Sequence, residues 1–269
     1  MISIKAVLLL GALAIGLFAP KTTEAAELPM GKDDPELAHV MDYYLHHDIA
    51  AQTTALSADE RAMVTITTLA TQDAQRQLTR AVEEALAGGT EPIVIRETLY
   101  QPAPYIGFPK VEDALTSANN VFRRYHVQLP LPSQGTVTDE NRLEKGLDMQ
   151  IGLYGERITK MRESTPDDAK HINDDLAAFC FGDTYTRNLL DIRQRELITF
   201  AAIATLGGAE QQLKGHINGN KSAGNSRAKV IAALTTISPY IGFPRTLNAL
   251  RCINETYPAE NTADAQKKS

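Results

Sequence analysis

The chain has 269 residues, 43% of them hydrophobic and 22% charged, which is an ordinary globular balance with length for one large domain or two small ones. Its formal net charge is −6 and it contains no basic run. That excludes the usual electrostatic footprint of a nucleic-acid binder and disfavours docking on an anionic membrane surface.

Residues 1–26 read as a secretory signal. Lys5 gives a positive start, "AVLLLGALAIGLFA" (6–19) is an apolar core too short for a span, and "TEAAE" (23–27) offers small residues for cleavage after Ala25. The length of the apolar core favours cleavage over an uncleaved anchor. No Cys follows it, which disfavours a lipid anchor. The expected location is therefore exported, in a periplasm, with no membrane insertion after cleavage.

The body of the chain predicts helices throughout. A first unit is expected over 27–125. Ser57 and Glu60 form a capping box, Thr90 reads as a second cap, and "PYIGFP" stands at 104–109. The adjacent His46 and His47 do not make a metal pair, because neighbouring helical residues point about 100° apart. A connection with a helix follows over 126–165, opening on "HVQLPLPSQGTVTDE". A second unit is expected over 166–260, and a disordered tail over 261–269. In the second unit Asp191 caps a helix apolar on most sides, ended by Gly207-Gly208. A shorter helix is expected to close at Gly219. "AGN" (223–225) then supplies a turn and an Asn cap, Pro239 is expected to stop the next helix, and Pro244 to open the last.

"PYIGFP" recurs letter for letter at 239–244, 135 residues on. At the same offset Leu78 falls on Leu213, Gly89 on Gly224 and Leu99 on Leu234, so the chain reads as one unit duplicated. Each hexapeptide reads as a helix–corner–helix joint, with its Tyr and Phe expected to bury the corner. Cys180 and Cys252 sit in apolar helical patterns and read as buried free thiols in preference to a disulfide.

The run "LLDIRQRELITFAAIATLGGAEQQLKGHINGN" followed by "YIGFPRTLNAL" resembles the carboxymuconolactone decarboxylase family, nearly throughout residues 179–256 and more weakly over 44–120. The resemblance implies an all-α fold of two tandem alkylhydroperoxidase D-like helical units forming a pseudo-dimer. It also implies assembly of such units into trimers or hexamers, here a homotrimer. The peroxide-reducing members need Cys-x-x-Cys ahead of the His. This chain has Ala209 and Gln212 there, and Ala74 and Gln77 in the first copy, so thiol–disulfide chemistry lacks both sulfurs.

What the motif retains is Arg193, Arg195, Glu196, His216 and Tyr240, and Gln212, four residues before His216, shares its helix face. Decarboxylating a carboxylated lactone needs a cation for the substrate carboxylate and developing oxyanion, and an acid to protonate carbon. The resemblance therefore implies that His216 is the general acid and Glu196 orients it. Arg193 would bind the carboxylate, Arg195, Gln212 and Tyr240 would line the pocket, and neither metal nor cofactor is called for. The expected ligand is a small carboxylate. The first copy has Arg61 for Glu196, Ala81 for His216 and Ala58 for Arg193, and reads as a degenerate structural half. A non-catalytic binding or assembly module is the rival reading, and peroxide reduction the last.

Overall fold

The computed structural model describes residues 30–259; the expected signal at 1–26 and tail at 261–269 lie outside the described residues. Residues 30–43 belong to a unit of their own, with helix α1 (Pro35–Tyr43) as its main described element. Residues from Tyr44 onward form the second and larger compact unit. No strand occurs among the described residues, and no helix among them is long and apolar enough to cross a membrane.

The first copy contributes α2 (Ala58–Thr71), α3 (Gln75–Ala87), α4 (Pro92–Tyr100) and α5 (Phe108–Arg124). The connection contributes α6 (Arg142–Tyr154) and α7 (Arg157–Glu163). The second copy repeats the plan as α8 (Ile192–Leu206), α9 (Glu210–Ala223) and α10 (Arg227–Thr256). The backbone carries the same offset as the letters. Gly89 and Gly224 have φ of 94° and 92°, and Gly107 and Gly242 have φ of 84° and 74°. A wide π-helical turn appears in both copies, at Tyr44–Ile49 and Leu176–Tyr185.

The α2 and α8 helices form the centre. Both open with a capping box, Ser57 with Glu60 and Asp191 with Gln194, so each starts with its orphan N–H groups satisfied. Every residue of α8 from Arg195 to Thr205 is buried, because α2, α9 and α10 all pack on it. One core gathers Leu197, Phe200, Leu213, Ile217 and Ile237 of the second copy. A second gathers Ile66, Leu78, Leu99, Val121 and Phe122 of the first, and Ala202 of α8 joins it. From Tyr44 onward the two copies thus form a continuous packed body.

Several expected boundaries move. Helix α10 passes through Pro239 and breaks at Gly242, since one missing N–H weakens a helix while a φ of 74° turns the chain out of it. Helix α9 continues past Gly219 to Ala223, and Gly224 caps it. Ser226 caps α10, while Asn225 is buried and donates to the Arg193 carbonyl at 2.9 Å. Thr90 donates to Asp59 at 2.6 Å, and Glu91 with Pro92 starts α4. The corner phenylalanines do not bury the joint: Phe108 is 64% exposed and Phe243 is 63% exposed. The tyrosines do, as Tyr105 and Tyr240 pack against the cores.

The connection is docked through glycine. A Cβ on Gly146 of α6 would fall well inside 3.0 Å of the Ala177 carbonyl, and one on Gly182 would overlap the Arg142 carbonyl. Two backbones cross there at a distance only glycine permits. Arg142 then grips Asp183 with both arms of its guanidinium. This crossing fixes the course of α6, and with it Tyr154 at its C-terminal end.

Candidate functional site

Glu196 lies one turn into α8 and is fully buried. An isolated buried carboxylate is costly, so its partners define the site. Tyr185 donates to its Oε1 at 2.7 Å and Tyr154 at 3.0 Å. His216 Nδ1 stands 3.1 Å from Oε2, and 2.9 Å from the Tyr154 hydroxyl. Both phenols spend their hydrogens on the carboxylate, so Nδ1 is the protonated nitrogen facing it. Nε2 has no hydrogen-bond partner among the described residues.

Sequence and packing place these groups. Glu196 and His216 face each other because α9 lies along α8. Asn220, one turn beyond His216, donates to both the Glu196 and His216 carbonyls at 2.9 and 2.8 Å and pins the two helices. Gly219 faces the Glu196 carboxylate so closely that a Cβ would overlap Oε2, which is why a glycine sits inside this helix. Tyr154 arrives from the connection and Tyr185 from the π-helical turn, whose extra residue re-aims the side chains that follow. Tyr105 closes the site edge-on, its ring 5.3 Å from that of His216. Cys180 donates to the Tyr105 hydroxyl at 3.1 Å.

Burial raises the pKa of Tyr105, Tyr154 and Tyr185 well above that of an ordinary phenol. For Tyr154 and Tyr185 the Glu196 carboxylate adds to the rise. All three therefore remain neutral donors. Burial pushes the Cys180 thiol up to about 12, with the Tyr105 hydrogen bond opposing and Glu196 adding to the rise. A neutral thiol is a poor nucleophile. Substituting Cys180 and Cys252 together by Ser is expected to leave native activity standing, and no cysteine-dependent hydroperoxide turnover with a dithiol reductant is expected. An NADPH-coupled peroxide assay on both proteins checks this, and turnover that disappears with the cysteines would refute it.

The structure brings together only two of the six residues singled out from the sequence, Glu196 and His216. Arg193 is exposed and turned onto Asp191 at 2.9 Å, because its position near the helix start faces solvent. Arg195 is buried on another face, where it donates to Gln101 and to the Arg187 and Asn188 carbonyls. Burial pushes its pKa down to about 10. Gln212 is exposed. Tyr240 packs against the first-copy core, and Tyr105 occupies the place by His216 expected for it. The corners are crossed between copies, which residue spacing within one copy cannot reveal. Sequence reasoning misses Tyr154, Tyr185 and Tyr105. The available signal is Gly215 and Gly219 inside a helix, which marks a close approach from elsewhere.

Beside this cluster lies an open cleft of about 550 Å³, lined by Leu153, Tyr154, Arg157, Asn218, Lys221 and Ser222. Tyr154 belongs to both: it walls the cleft, and its hydroxyl reaches Glu196 and His216.

Against known proteins, the carboxymuconolactone decarboxylase family model matches residues 35–120 and 172–255. The chain is also similar to a 4-carboxymuconolactone decarboxylase of Acinetobacter baylyi (strain ATCC 33305 / BD413 / ADP1). The two are 24% identical over 122 residues, which is 45% of this chain and 90% of the relative. The matched regions coincide with the two structural copies, and Tyr154 and Arg157 fall between them.

Proposed function

The chain belongs to the carboxymuconolactone decarboxylase family, and from that premise we propose a cofactor-free lyase or isomerase acting on a small carboxylated lactone or related oxo acid. The observation that carries this reading is the fully buried Glu196 bonded to His216 Nδ1 and to two phenols. In the lyase reaction the bond between the ring carbon and its carboxylate breaks and carbon dioxide leaves. The electron pair spreads onto the lactone carbonyl as a dienolate. Protonated His216 then delivers Nε2–H to carbon. Glu196 stabilises the imidazolium beforehand and holds the ring, so that Nε2 and not Nδ1 faces the reactant. Tyr154 and Tyr185 keep the carboxylate oriented. Carbon dioxide release from 4-carboxymuconolactone by the purified protein tests this, with release well above the uncatalysed rate expected and its absence counting against the reading.

The rival, a binding module without chemistry, is favoured by one observation: His216 is only 9% exposed, boxed by the Tyr105 and Tyr154 rings. We also propose export to a periplasm, from the first 26 residues, and a homotrimer. Apolar residues are exposed at matching places in both copies: Leu37 and Ile172, Met41 and Leu176, Phe108 and Phe243. A monomer leaving these in water would be unusual. Multi-angle light scattering of the 27–269 chain is expected to give three times the chain mass, and a clean monomer at micromolar concentration would sink the trimer.

A further inference from the structure

We infer that Arg157 and Lys221 form a carboxylate-anchoring subsite over Tyr154, so that the ligand is held by its anionic end in the cleft beside His216. The inference deepens the proposed function and rests on its reading of His216 as the reacting group.

Arg157 opens α7 just after the α6 helix ends, and its guanidinium carbon lies 4.7 Å from the centre of the Tyr154 ring. That stacking fixes the plane of the fork while leaving its N–H edge free. One of its terminal nitrogens also lies over Gly215, 3.6 Å from where a Cβ would stand. Lys221 comes from α9, on the opposite wall, with its ammonium 5.3 Å from the Tyr257 ring centre. Neither cation is ion-paired with a carboxylate among the described residues, although the chain as a whole is acidic. Asn218 and Ser222 add an amide and a hydroxyl to the same wall, and Leu153 an apolar patch.

This lining suits one ligand chemistry. Two unpaired cations with neutral donors bind a carboxylate, and the fork of Arg157 matches its two oxygens. The apolar face of Leu153 and the Tyr154 ring suits a small ring or short carbon chain attached to it. The fixed negative charge of the site, Glu196, lies at the hydroxyl end of Tyr154, whereas Arg157 lies over the ring face. An anion is therefore placed away from Glu196, on the wall that Tyr154 shares with the Glu196–His216 cluster. The role that the sequence suggests for Arg193 passes to these two residues.

The probe is 5-oxotetrahydrofuran-2-carboxylate, a lactone bearing one carboxylate, titrated by calorimetry beside its uncharged methyl ester. The wild-type chain is expected to bind the acid at least about tenfold more tightly than the ester. Arg157→Gln and Lys221→Gln should each weaken the acid by about tenfold, and the double variant by about a hundredfold, with the ester unchanged. Both residues are exposed, so the double variant should melt like wild type. Equal binding of acid and ester by wild type, or acid binding untouched in the double variant, overturns the subsite. The two readings separate cleanly. Acid binding that follows the cations without any carbon dioxide release keeps the subsite and removes the lyase. Normal release by the double variant keeps the lyase and removes the subsite.

Discussion

His216→Ala and Glu196→Gln should each abolish most carbon dioxide release while the helical fold persists. General acid–base groups typically contribute about 10²–10⁴-fold, and a loss of that order is expected for each. The two substitutions should not add. Without Glu196 the imidazolium loses its counter-charge and His216 loses its orientation, so removing both costs little more than removing one. Tyr154 and Tyr185 remain to satisfy the glutamine in Glu196→Gln, which limits the damage to the fold. Circular dichroism and turnover measured side by side check this. An unfolded His216→Ala protein, or turnover unchanged in either variant, makes the pair structural.

Gly146→Ala is expected to be the most damaging single methyl group in the connection. Its Cβ would overlap the Ala177 carbonyl, which is backbone and cannot swing aside. Overpacking typically costs about 1–3 kcal/mol, and a backbone clash belongs at the upper end. For a body of this size that lowers the melting temperature by roughly 5–10 °C. The same helix holds its own control. A methyl added at Gly152 would meet nothing within 4 Å, so Gly152→Ala should gain helix propensity and melt no lower than wild type. Equal melting temperatures for the two variants would show that the crossing is not tight. Because the crossing sets Tyr154, Gly146→Ala should also lose activity beyond what its stability explains.

Much of the architecture is legible in the letters. The offset between the two hexapeptides reveals the duplication, and a capping box at Ser57 and a cap at Asp191 mark the central helices, because capping is a local matter between residues three apart. The Glu196–His216 pair is legible through resemblance. What is not legible involves distance along the chain. Tyr105 lies far before His216 in the sequence, and Tyr154 sits in a connection with no motif. Arg193 shows the converse error: close to Glu196 in the chain, it shares the helix start but not the buried face. Proline is a weaker helix stop here than its chemistry suggests, since Pro239 only weakens what Gly242 ends. Apolar character alone is a poor guide to burial at the corner, where Phe108 and Phe243 face outward.

The crossed corners have a genetic meaning. A duplicated chain ordinarily leaves one copy free to decay, and the first copy has Arg61 and Ala81 where the second has Glu196 and His216. It still reaches into the other copy, because its Tyr105 packs edge-on against the histidine of its sibling. A lesion at Tyr105 would thus be felt beside His216 in the second copy, while the corresponding lesion at Tyr240 would fall on the core of the first. Two similar halves thus meet as unlike partners inside a single chain, each packing a corner tyrosine on the other.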